Sequence, residues 1–316
     1  MSVTVGTVED RRRNARRRRR EARIGASFVA PFAILFLFVF IAPIVTSIRA
    51  AFYRDQPAEG GLYGGGGTVS TFIGFGNFRD VLDNPELMRG LGRVMLFGAI
   101  QIPIMIGGAL ILALLIDSYL VKRGTFFKLS YFLPYAIPGV VAALVWVYIY
   151  NPRISPINQA LEAIGLDGIS FFAPGTVLWS MANMTTWTFM GYNMLVFLAA
   201  LQSIPRDLYE AARLDGSSEF GIVRWIKVPL VRNATLLTVL LSIIGTIQLF
   251  NEPTVVATQN PWMGNAYTPM MMAYNSMMGQ VSPSGAGPAS AVSLIMALVA
   301  AVLAALYAVL QRRGAR

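Results

Sequence analysis

The chain of 316 residues has no cysteine and no histidine. Disulfides, thiolate nucleophiles, zinc fingers, imidazole bases and haem histidines are therefore excluded. A Ser-His-Asp triad and an H-E-x-x-H metal site are excluded with them. No G-x-x-x-x-G-K-[ST] string occurs, so the chain has no phosphate-binding loop of its own. The glycine run 64–67 leads into Thr68-Val69-Ser70 without a lysine and reads as a flexible loop. Charge is scarce as well: 13% of residues are charged, against roughly 25% in a soluble domain. The 16 acidic residues leave carboxylate chemistry open, but most classes of soluble enzyme are gone.

What remains is apolar and basic: 55% hydrophobic residues and a net charge of +10. Nine arginines lie between Arg11 and Arg23. An apolar stretch over 27–48 follows, about 22 residues long, and a ~30 Å hydrocarbon core needs about 20 helical residues. A signal peptide has a shorter apolar region and a small-residue cleavage site. Here Pro43-Ile44-Val45 continue the run, so it reads as a retained transmembrane helix. The arginine block could be a nucleic-acid tail, but a cytoplasmic anchor in front of a span is the better reading.

Five further spans are expected, over 94–116, 129–150, 177–201, 234–257 and 288–310. The chain then divides into a cytoplasmic Arg-rich tail (1–26), a first transmembrane helix (27–48), a glycine-rich extracytoplasmic loop (49–90) and a core (91–312) that contains a long cytoplasmic loop (202–233). The N-terminal segment, the 117–128 and 202–233 loops and the C-terminal tail hold 20 of the 26 lysines and arginines. The positive-inside rule puts those segments, and both termini, in the cytoplasm. An even number of spans agrees. Pro103, Pro134, Pro138 and Pro253 lie in or near spans, where neighbouring helices must satisfy the freed carbonyls. The fold expected is an all-α membrane protein with six packed transmembrane helices.

The 202–233 loop, QSIPRDLYEAARLDGSSEFGIVRWIKVPLVRN, has the local signals of a helix-turn-helix. Pro205 suits a first helical position. Asp207 and Glu210 lie near the positive end of the helix dipole. Ala211 and Ala212 are small helix formers that permit close approach. Asp215-Gly216 is a stop and turn, and Ser217 or Ser218 can cap a second helix. Phe220, Val223 and Ile226 recur at spacing three, and Pro229 breaks the pattern.

Any amphipathic loop helix can lie on a membrane surface, but this order of residues is more specific. Glu210-Ala211-Ala212, Asp215-Gly216, Ile226, Val228 and Pro229 resemble the EAA motif of permease subunits in binding-protein-dependent ATP-binding-cassette (ABC) importers. Phe72-Ile73-Gly74-Phe75-Gly76-Asn77-Phe78, Phe132-Leu133-Pro134-Tyr135-Ala136-Ile137-Pro138 and Phe250-Asn251-Glu252-Pro253 resemble segments of the carbohydrate-uptake branch, the maltose, glycerol-phosphate and lactose type of permease. The resemblance covers about residues 27–312. Three positions depart from the pattern: Val228 stands where leucine is usual, Asn233 where proline is common, and Gln259-Asn260-Pro261 where G-G-P is usual.

The resemblance implies the transmembrane domain of an ABC type I importer in the bacterial cytoplasmic membrane. It implies a second permease subunit, two ATPase subunits and an extracytoplasmic solute-binding protein as partners. ATP and Mg would be bound by the ATPases and no cofactor or metal by this chain, which would itself catalyse nothing. Glu210, Ala211, Ala212, Asp215, Gly216, Phe220, Ile226 and Pro229 would form the loop that couples to the ATPase. The solute would be a sugar or sugar-like molecule.

For the solute pathway, Asn183, Thr186, Met190 and Asn193 fall on one stripe of the fourth span, with Trp187 beside it. Gln248, Asn251 and Glu252 cluster on the fifth. Such groups either line a wet cavity or hydrogen-bond neighbouring helices, and the sequence weighs these equally. Glu252 lies near the outer end of the fifth span, where a local partner or a contact to the docked binding protein is the better reading. It could also be a proton-coupling site, which belongs to the alternative of an ion-gradient-driven secondary transporter. That class often carries internal repeats, and none relates the two halves here. An intramembrane enzyme lacks its histidine, cysteine or carboxylate pair.

Overall fold

Backbone polar groups have no water to bond inside a membrane, so a spanning segment must satisfy them within itself as a helix. The long apolar runs of this chain take that form. The computed structural model describes residues 8–57, 68–118 and 123–313, and these are mostly helical. Helix α1 comprises Val8–Phe36, the π-turn Leu37–Ile41 and Ala42–Ala51. Strands β1 (Tyr53–Pro57) and β2 (Thr68–Phe72) pair antiparallel, Tyr53 opposite Phe72, and the short α2 (Gly76–Leu82) follows. Then come α3 (Pro85–Asp117), α4 (Gly124–Phe132), a 3-10 turn (Leu133–Ala136), α5 (Gly139–Ile149), α6 (Pro156–Ala163) and α7 (Val177–Gln202). Helix α8 is Arg206–Leu214, and α9 comprises Glu219–Ile222, the π-turn Val223–Lys227 and Val228–Leu230. The chain closes with α10 (Arg232–Ile247), α11 (Asn251–Ala257), α12 (Pro269–Met277) and α13 (Ala286–Arg313).

Five described stretches are long and apolar enough to cross a membrane: Arg20–Ala51, Pro85–Asp117, Val177–Gln202, Arg232–Ala257 and Ala286–Val309. A sixth arises if α4, the 3-10 turn and α5 count as one broken span. The glycine run 64–67 and the 119–122 part of the 117–128 loop lie outside the described residues, as do 1–7 and 314–316.

Helices α3 and α7 form the central pair, and they run in the same direction. Val94 and Phe97, early in α3, pack with Val177, Met181 and Met184, early in α7. Met105, Ala109 and Ala113, late in α3, pack with Met194, Phe197 and Leu201, late in α7. Helix α10 runs the other way: Val231 and Ala234 lie in the second of these clusters and Leu249 in the first. Helix α13 follows α3, because Val292 and Met296 pack with Leu87 and Ala51, while the Tyr307 hydroxyl reaches the Leu236 carbonyl at 2.9 Å.

The third span expected as one helix over 129–150 is broken. Its two halves meet at 99°. Pro138 forces the preceding Ile137 out of the helical region, to ψ 130°. The fifth span is also interrupted, at 248–250. Pro253 has no N–H to give the Leu249 carbonyl, so α10 cannot run through into α11. That carbonyl accepts instead from the Thr268 hydroxyl at 3.0 Å.

Proline is also handled without a break. Pro43 and Pro229 would each press on the carbonyl four residues earlier. A π-turn precedes each, and the Ala42 and Val228 amides bond back to Leu37 and Val223. Pro229 therefore sits within α9, which ends one residue later at Leu230 and not at the proline itself. The reason is the wider π geometry, which makes room for the ring.

The 49–90 stretch, read as loop, carries the hairpin, α2 and the first turn of α3. Asn84 caps α3, accepting from the Glu86 amide at 3.0 Å, and Pro85 takes the first helical position. Asn77, fully buried, donates to the carbonyls of Ala51 and Tyr53 and accepts from Arg54. One side chain of the F-I-G-F-G-N-F segment thus fastens α1, the hairpin and α2 together.

Candidate functional site: a membrane-level cavity and an exposed helix-turn-helix

The loop 202–233 folds as its local signals dictate. Pro205 is the residue before α8, one position earlier than expected, with extended ψ 134°. Helix α8 closes in a full Schellman arrangement: the Gly216 amide bonds to the Arg213 carbonyl at 3.0 Å and the Ser217 amide to the Ala212 carbonyl at 2.9 Å. Gly216 takes φ +82°, where an L side chain is strained. Asp215 is the C-cap. Ser218 caps α9, its hydroxyl accepting from the Gly221 amide at 3.2 Å. Arg213 and Glu219 pair across the turn at 3.0 Å and orient the two helices. Both are about half exposed, so this pair contributes at most about 1 kcal/mol.

Glu210 and Ala211 are exposed on α8, and Ala212 is half-buried. Leu214 is 90% exposed, Phe220 74% and Trp225 73%, an unusual display of large apolar groups on a short polar loop. Phe220, Val223 and Ile226, expected to pack in a partner's groove or against the spans, differ in their surroundings. Phe220 points outward, Val223 and Ile226 are half-buried, and Ile222 and Lys227 are the buried residues of α9.

Between the helices lies a cavity of about 410 Å³, within the range usual for small-molecule sites. It is lined by Phe97, Gln101 and Met105 of α3, Tyr135 of the 3-10 turn, and Thr185, Phe189, Tyr192 and Asn193 of α7. The opposite wall is Leu241, Ser242, Gly245 and Thr246 of α10, residues 248–250, and Asn251 and Glu252 of α11. Both span breaks therefore open onto it. Tyr135 stacks on Tyr192 at 4.9 Å and meets Phe189 edge-on at 5.8 Å. Gln101 is buried, and its amide finds only the Met105 sulfur, at 3.0 Å. Glu252 is the one charged lining residue among the described residues, and it accepts from the Thr185 hydroxyl at 3.1 Å.

Of the residues expected on the pathway, Asn193, Gln248, Asn251 and Glu252 line this cavity. Asn183, Thr186 and Trp187 do not. Asn183 donates to the Tyr150 hydroxyl at 2.7 Å, Trp187 meets Trp146 edge-on at 5.7 Å, and Thr186 is buried in the bundle. Met190, in the same expected stripe, lies against Gly108 of α3. Helix α7 is turned by about one residue, which is 100°, so Thr185, Phe189 and Tyr192 face the cavity in their place. The periodicity gave a stripe, but only packing against α3 and α4 sets its direction. Gln101, Tyr135, Thr185, Tyr192, Ser242 and Thr246 were not anticipated. Gln101 was findable, as a lone amide in an apolar run, and Ser242 and Thr246 as an i, i+4 polar pair.

A third cluster joins the loop to the bundle. Lys227 Nζ pairs with Asp117 Oδ2 at 2.6 Å and lies 5.3 Å from the centre of the Tyr209 ring. The Tyr209 hydroxyl is buried without a hydrogen-bond partner, and burial and the nearby Asp117 carboxylate push its pKa up.

Among the described residues, no group of three or more Asp or Glu is placed to hold a metal ion. Known proteins give the arrangement a context. The family described as "Binding-protein-dependent transport system inner membrane component" matches residues 105–316. A probable ABC transporter permease protein, YurN of Bacillus subtilis, is 30% identical over 268 residues, which cover 80% of this chain and 89% of YurN. The lactose transport system permease protein LacF of Rhizobium radiobacter is 30% identical over 294 residues, covering 92% and 95%. A crystal structure of a bacterial ABC transporter that imports the acidic polysaccharide alginate superposes with a TM-score of 0.75 at 21% identity, covering 95% of this chain and 99% of that one.

Proposed function

The chain belongs to the family of binding-protein-dependent transport system inner membrane components, the permease subunits of ABC importers, and from that premise we propose that it conducts a sugar or sugar-like solute into the cytoplasm. The observation that carries this reading is the cavity. Amides and hydroxyls at Gln101, Asn193, Ser242, Gln248 and Asn251 suit sugar hydroxyls, and Tyr135, Tyr192 and Phe189 suit the apolar face of a sugar ring. Among the described lining residues there is no lysine or arginine to pair with an anionic solute. A neutral saccharide fits better than a uronate.

The solute is handed over by an extracytoplasmic binding protein. A second permease subunit completes the pathway, and two ATPase subunits hold ATP and Mg. This chain binds no cofactor and hydrolyses nothing. Helix α8 docks on an ATPase through Glu210, Ala211 and Ala212. Asp215 and Gly216 fix the turn, and Pro229 and Ile226 sit on the helix that carries the movement back to the spans. The exposed Leu214, Phe220 and Trp225 supply apolar contact area for that docking. Glu210 has no ion pair or side-chain hydrogen bond among the described residues, which leaves it for a partner cation.

Six spans with both termini in the cytoplasm complete the reading. Parallel α3 and α7 support it, since the chain must cross once between their facing ends, and α4 and α5 are the segment available to do so. Placement in the bacterial cytoplasmic membrane rests on the family, and the basic N-terminal block orients the chain in it. The test is uptake by the assembled transporter carrying Glu210→Lys or Gly216→Pro. Both variants are expected in the membrane at normal level with uptake abolished. Normal uptake by either counts against docking through α8.

A further inference from the structure

Lys227 occupies the position that the I-x-V-P part of the motif leaves open, yet it is 8% exposed, with its ammonium 2.6 Å from the Asp117 carboxylate. Asp117 is the last residue of α3. A carboxylate there faces the negative end of the helix dipole and is disfavoured without a cation. A nearly buried ammonium is equally disfavoured without an anion. Each charge therefore holds the other in place. Tyr209, on α8, lays its ring beside the same ammonium. Three elements, α8, α9 and the end of α3, meet at one pair of charges, and α3 carries Phe97, Gln101 and Met105 to the cavity wall.

We propose that the Lys227–Asp117 pair, braced by Tyr209, is the joint through which movement of the α8–α9 loop is imposed on α3 and so on the solute cavity. The proposal rests on the reading of α8 as the ATPase docking helix. Lys227 and Asp117 are positioning residues: they touch neither ATP nor solute. Replacing the pair by apolar groups of similar size leaves packing intact, so the joint is distinguishable from a simple stabilising contact.

The experiment uses the complete transporter, assembled with its own ATPase and binding protein. Four variants are compared: Lys227→Met, Asp117→Asn, the double variant Lys227→Met with Asp117→Leu, and the exchange Lys227→Asp with Asp117→Lys. The readouts are uptake and the ratio of ATPase rates with and without the solute-loaded binding protein. A merely structural role lowers both rates with the amount of complex and leaves the ratio unchanged. The single and apolar double variants are expected to lose about tenfold in uptake, with the ratio falling to one. The exchange is expected to recover uptake to within about threefold of the parent. If the single variants fail to accumulate, the apolar double variant decides. Normal coupling in it, or an exchange that restores nothing, overturns the proposal. Glu210→Lys, run alongside, separates the two readings. If it abolishes uptake while the pair variants behave as the parent, only the joint falls; if it leaves uptake normal, the docking reading falls and the joint with it.

Discussion

At the residue scale, single polar side chains repair what proline and glycine impose. Thr268 is 1% exposed, and its hydroxyl both takes the carbonyl freed at Leu249 and accepts from the Met271 amide to cap α12. Thr268→Val keeps the shape and removes both bonds, so it is expected to cost about 1–3 kcal/mol, read as a lower melting temperature of the purified subunit. An unchanged melting temperature would mean that another group serves Leu249. Much of the 202–233 loop was legible at this scale because its determinants are local. Asp215-Gly216 and Ser218 specify a stop, a left-handed turn and a cap within four residues of chain. Lys227 was not legible, because its meaning depends on Asp117, which is distant in sequence and adjacent only in the fold. The same holds for the outward direction of Phe220, which only the fold shows.

At the element scale, the long apolar runs announced α1, α3, α7, α13 and the interrupted α10–α11 stretch, and each of these is long enough to cross a membrane. The interruptions were harder to place. Pro134 and Pro138 signalled trouble in the third span, but a kink, a π-turn and a full break were all open to them, and the same molecule uses a π-turn at Pro43 and Pro229. Which occurs depends on whether neighbours can satisfy the freed groups. Helix crossings were also hidden. A Cβ on Gly191 would lie 1.8 Å from the Tyr131 carbonyl oxygen, so α4 crosses α7 backbone to backbone at that point. Gly191→Ala is therefore expected to push α4 outward and destabilise the bundle by about 1–3 kcal/mol. Gly107→Ala, on an exposed stretch of α3 with nothing within 4 Å, is the control and is expected to be neutral or stabilising. Equal melting temperatures for the two variants would refute the close crossing.

At the scale of the whole molecule, the cavity opens at the two broken spans and the 202–233 loop leaves the bundle beside the end of α3. Neutral amides, hydroxyls and aromatic rings were predictable as a polar set within apolar spans. Their assembly into one cavity was only partly so: Asn193, Gln248, Asn251 and Glu252 face it, while Asn183, Thr186 and Trp187 are turned elsewhere by the rotation of α7. The most direct measurement is solute uptake into sealed vesicles containing the complete transporter and its binding protein, with ATP on the side of the 202–233 loop and all ion gradients collapsed by ionophores. The account predicts that uptake proceeds under those conditions and stops when ATP is withdrawn. Uptake that needs an ion gradient, or that continues without ATP, would contradict it.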